Sequence, residues 1–139
     1  MNIESVVETS EAALASTISF PEVVRKLLAA GVEYYHVDFV GMRKSFYGAD
    51  GDVVVTPIGY EGLPPVAKDF VVENLHAVIL DSQQHGQKCR DFTWRAMAAG
   101  VLGYVVFLRE KRFTYWGRAG DQHTEWFPGA GPAKNRSNR

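Results

Sequence analysis

Residues 29–52 read AAGVEYYHVDFVGMRKSFYGADGD, and residues 98–121 read AAGVLGYVVFLREKRFTYWGRAGD. At a fixed shift of 69 the two stretches share ten of 24 positions without a gap, among them Gly31/Gly100, Tyr35/Tyr104, Arg43/Arg112 and Gly51/Gly120. Several of these have a backbone role. Gly31 and Gly100 each follow an apolar helical pattern, where a left-handed residue ends a helix. Gly51 and Gly120 lie between extended runs, where a hairpin turn calls for positive φ. The repeat therefore divides one domain, 1–128, into two similar halves of about 1–60 and 70–128.

Each half carries two helical patterns before its extended runs. Ser19 and Glu22 have capping-box spacing with Pro21 between them, and Val23, Val24, Leu27 and Leu28 give that helix an apolar face. Its counterpart runs from about Lys88 to Ala99. Ile3, Val6, Val7 and Leu14 mark a preceding helix in the first half, and Val72, Leu75, Val78 and Ile79 one in the second. Extended runs follow at roughly 32–40, 43–49, 52–58, 101–109, 111–118 and 121–127. The segment 61–69, EGLPPVAKD, is a linker, because Pro64 and Pro65 interrupt helix and strand alike. The expected fold is α+β: a tandem ααβββ repeat whose two antiparallel three-stranded meanders join pseudo-symmetrically, with helices on one face.

Alternation sorts the strand residues by face. Tyr35, Val37 and Phe39, with Tyr104, Val106 and Leu108, are expected under the helices, leaving Tyr34, His36 and Asp38 on the open face. Two-residue turns at Gly41-Met42 and Asp50-Gly51 would set His36 beside Tyr47 and Val54, and Asp38 beside Ser45 and Thr56. The same turns in the second half, Glu110-Lys111 and Ala119-Gly120, would set Trp116 beside His123 and Thr114 beside Glu125. The open face would then carry two His-x-acid pairs among aromatics.

That composition suits a binding cleft or the centre of an interface. The candidate ligand-binding residues are His36, Asp38, Tyr47, Trp116, His123 and Glu125, with Arg109 and Arg112 placed to meet an anionic group. Three functions compete for the face. One is non-catalytic binding of a small molecule; another is a homodimer or partner interface. The third is a small hydrolase or isomerase using His123 with Glu125, or His36 with Asp38, as a base pair. No nucleophile is marked. Cys89 reads as a small helix-face residue, and His76 and His85 read as surface residues. No metal or cofactor is assigned: an i, i+2 pair recurs by chance, no cysteine joins it, and neither glycine-rich phosphate-binding motif is present.

A chain of 139 residues, 46% hydrophobic and 22% charged, can bury roughly 70% of its unfolded surface without disulfide or structural metal. Its single cysteine fits a reducing compartment, and no leader or membrane-spanning run is visible, so a cytoplasmic location is expected. The net charge of −1 includes Lys134, Arg136 and Arg139 in a flexible basic tail, 129–139; without these three the remainder carries −4. An acidic body makes nucleic acid an unexpected partner.

The segments HVDFVGMRKSFYGADGD, EGLPP and TYWGRAGDQHTEWFP resemble the uncharacterised bacterial family known as domain of unknown function 1398, some members of which are named phage envelope protein. The likeness spans nearly all of 15–130 and is most distinctive at Tyr115, Gly117, Arg118, His123, Glu125, Phe127 and Pro128. It implies no activity, substrate or site residue. An aromatic often stands in that family where this chain has Cys89, which sets Cys89 further aside as a catalytic group.

Overall fold

Four helices and six strands follow one another as ααβββ twice over residues 1–132, the part of the chain that the structure, a computed structural model, describes. Helices α1 (Ile3–Leu14) and α2 (Phe20–Ala29) precede β1 (Val32–Asp38), β2 (Arg43–Gly48) and β3 (Val53–Pro57). Helices α3 (Val72–His85) and α4 (Cys89–Ala98) precede β4 (Gly103–Phe107), β5 (Arg112–Trp116) and β6 (Gln122–Trp126). Ser19 caps α2 as its spacing predicts, its hydroxyl accepting the Glu22 N–H at 3.4 Å. Gly31 and Gly100, at φ of 90° and 95°, turn the chain from α2 and α4 into the sheet. The expected tail lies, from residue 133 onward, outside the described residues.

The six strands form one antiparallel sheet in the order β3-β2-β1-β4-β5-β6. The meanders meet through β1 and β4, where His36 pairs with Val105. Those two residues are counterparts at the 69-residue shift, so a pseudo-twofold axis passes between them. The helices cover one face of the sheet. Val6, Leu27, Leu75 and Ala96 meet Val37, Phe46, Val106 and Tyr115 there, all essentially inaccessible to water. Each fully buried large apolar side chain contributes roughly 1.5–3 kcal/mol relative to exposure.

Register departs from expectation at the loops. The β1–β2 and β4–β5 connections are four residues long, pairing Asp38 with Arg43 and Phe107 with Arg112. Asp38 stabilises the first by accepting the Val40 and Gly41 N–H groups at 3.0 and 2.9 Å. This moves partners by two residues and leaves faces unchanged, so His36 lies opposite Ser45 rather than Tyr47. The β2–β3 and β5–β6 loops have three residues, closed by Gly48–Asp52 and Gly117–Asp121 hydrogen bonds of 2.9 Å. Gly51 and Gly120 hold φ of 86° in them.

One added loop residue turns every side chain of the following strand to the other face. Val54 and Thr56 therefore lie in the core, while Val53 and Val55 are exposed. The expected placement of His123 and Glu125 on the open face is corrected in the same way. They pair with Tyr115 and Phe113 and point to the helix side of β6, at the sheet's edge.

Candidate functional site

The open face gathers part of the expected set. Tyr34 stacks on Tyr47 with ring centres 4.8 Å apart, and His36 meets Trp116 edge-on at 6.4 Å. Arg112 lies over the rings of Phe107 and Trp126, at 5.7 and 5.4 Å. Asp38 is committed to its own loop and to Arg43 Nε at 3.8 Å, so it does not orient His36 as the acid of a base pair. Arg109 is exposed in the β4–β5 loop, away from that cluster.

His123 and Glu125 form a second grouping on the helix side. His123 Nε2 is 3.1 Å from Glu125 Oε1, and His76 of α3 brings its Nδ1 to 3.7 Å from the same oxygen.

The largest change from the sequence picture lies under the helices. A cavity of about 500 Å³ separates the helical layer from the sheet, and both halves wall it. Sixteen of its lining residues form eight pairs related by the 69-residue shift, including Tyr35/Tyr104, Phe46/Tyr115, Phe20/Cys89 and Lys44/Phe113. It thus lies on the pseudo-twofold axis, on the opposite side of the sheet from His36. Its volume falls in the range of small-molecule sites.

Lys44 decides its chemistry. It is 7% exposed on the helix face of β2, between Val37 and Thr56. Burial lowers the pKa of its ammonium, with only the Cys89 thiol acting the other way. Among the described residues no hydrogen bond or ion pair engages that ammonium. The same holds for the hydroxyls of Tyr35, Tyr104 and Tyr115, whose pKa values burial pushes up. Among the described residues no fully enclosed side-chain nitrogen or oxygen lacks a partner, and these four residues line the cavity, into which their polar atoms open. Thr56, beside Lys44, is bonded to Ser10 at 2.9 Å, and Tyr60 donates to the Leu14 carbonyl at 2.6 Å.

The cavity therefore presents one cation and three phenols among the apolar surfaces of Leu27, Phe46, Ile79, Phe92 and Phe113. Among the described residues no carboxylate lines it. A signal for Lys44 exists in the sequence, since alternation in RKSFYG puts it on the same side as Phe46. Cys89 also lines the cavity, at the first position of α4.

No family model matches the chain, and no curated protein matches it.

Proposed function

We propose that this protein binds a small organic anion, an apolar or aromatic body bearing one acidic head group, in the cavity between its helices and sheet, without transforming it. The observation that carries this reading is Lys44: a buried ammonium with no counter-charge among the described residues, facing a partly open cavity that three phenol groups also line. A buried charge without a partner is costly, and an anionic ligand would remove that cost while accepting hydrogen bonds from the tyrosines. The apolar walls account for the rest of the ligand. The reading keeps the small-molecule function expected from the sequence and moves its site from the open face to the other side of the sheet.

Thermal melting against a panel of aromatic and aliphatic monocarboxylates, with their amides as neutral controls, tests it. The carboxylates should raise the melting temperature and the amides should not. Lys44→Met should abolish the rise, and Tyr104→Phe should weaken it. Equal stabilisation of Lys44→Met and the parent protein would refute the reading.

The open face favours a second reading, an interface with another copy of the chain. Val53 and Val55 are 51% and 57% exposed there, beside the aromatic rows of Tyr34, Tyr47 and Phe107, and uncovered sheet faces of this composition commonly associate.

A further inference from the structure

We propose that His76, His123 and Glu125 form a binding site for one divalent transition-metal ion of the zinc type, at the edge of the sheet where α3 meets β6. This site is separate from the organic-anion reading and would stand if that reading fell. The three donor atoms all lie within 4.8 Å of one another, the one such set among the described residues. Donors about 2.1 Å from a common ion stand roughly 3.0–3.5 Å apart at tetrahedral or octahedral angles. His123 Nε2 to Glu125 Oε1, at 3.1 Å, already meets that spacing, and His76 Nδ1 to Glu125 Oε1, at 3.7 Å, is close to it. The His76 side chain is half exposed, so a small rotation is enough to close the set.

The local structure explains how the set assembles. The three-residue loop before β6 turns His123 and Glu125, two positions apart, toward the helices together. His76 faces them from the second turn of α3. The Tyr115 ring lies nearly parallel to the His123 imidazole at 6.5 Å and flanks it on the neighbouring strand. Comparison of the halves points the same way: the positions equivalent to His76, His123 and Glu125 are Val7, Val54 and Thr56. In the first half this corner is therefore filled by two valines and by a threonine bonded to Ser10, and three ligating side chains stand there in the second half alone.

Two imidazoles and a carboxylate favour Zn²⁺, Co²⁺ or Ni²⁺ over Mg²⁺ or Ca²⁺, which take oxygen donors. Three protein ligands leave at least one coordination position for water. His36 lies on the open face and His85 pairs with Asp81 at 3.1 Å, so both are outside the site and serve as controls.

The test is titration of the untagged, chelator-treated full chain with Co²⁺, followed by its visible ligand-field absorption and by competition with Zn²⁺ and Mg²⁺. One Co²⁺ should bind per chain, Zn²⁺ should displace it and Mg²⁺ should not. His123→Ala and Glu125→Gln should each weaken binding at least about tenfold, and His85→Ala should leave it unchanged. His76→Ala, at a half-exposed position, gives the same reading if a β6 variant melts early. Absence of a saturable Co²⁺ signal, or affinity retained in His76→Ala and Glu125→Gln, would overturn the proposal. So would loss of binding in His85→Ala.

Discussion

An ammonium held 7% exposed beneath the helices is a standing cost to the folded protein, and Lys44 carries that cost for the whole cavity. Its pKa is lowered in the folded state, so between that lowered value and the ordinary lysine value the unfolded chain binds more protons than the folded one. Stability therefore rises with pH through that window. The buried tyrosines act oppositely. Their pKa values are raised, so above about pH 10 the unfolded chain loses phenolic protons that the folded chain keeps, and stability falls. Chemical denaturation at stepped pH should show stability rising toward the ordinary lysine value and falling once the tyrosine range is entered. Lys44→Met should remove the rise and stabilise the protein by about 1–3 kcal/mol at neutral pH. A variant less stable than its parent would mean that the ammonium is satisfied in a way the cavity geometry does not show. The lysine was legible as an inward position by alternation with Phe46. Its isolation was not, because the lack of a partner is a property of the assembled walls.

At the scale of elements, helices and strands were legible to within about two residues because caps and periodicity act locally. Ser19 and Glu22 opened α2, and Gly31 and Gly100 ended α2 and α4. Face assignment in β3 and β6 was not, because it depends on whether a loop has two residues or three, and Asp50-Gly51 and Ala119-Gly120 fit both. The longer loop moved His123 and Glu125 away from Trp116 and toward His76, so a single residue of loop length decided which site those side chains could join. Both loops depend on a glycine at φ of 86° with open space where a side chain would stand. Gly51→Ala and Gly120→Ala should each cost about 1–2 kcal/mol through backbone strain alone, and the double variant should cost their sum. Urea melts of the three variants measure this. A neutral effect at either position would show that the loop relaxes to another turn type.

For the whole molecule, the repeat and its linker at 61–69 already imply two joined meanders, and the six-stranded sheet has that order. The interlayer cavity has no signature in the sequence because it belongs to neither half: its walls come together only when β1 pairs with β4. No helix among the described residues is long and apolar enough to cross a membrane. The open face leads to an oligomerisation test at this scale. Sedimentation at about 100 µM should show a dimer, and Val55→Lys, a change at an exposed site, should return it to monomer while leaving the carboxylate response intact. Sedimentation as a monomer at that concentration would end the interface reading.

The pairing of His36 with Val105 has a further consequence for the kind of molecule the cavity can hold. Two identical half-length chains meeting about that axis would have to line the space with the same side chains twice, lysine facing lysine. Any guest there would be symmetric itself or would lie in two orientations at equal cost. With both halves on one chain, position 44 keeps its charge while position 113 becomes a phenyl ring. The pocket then has a head and a tail, and a guest with one polar end can enter in a single orientation.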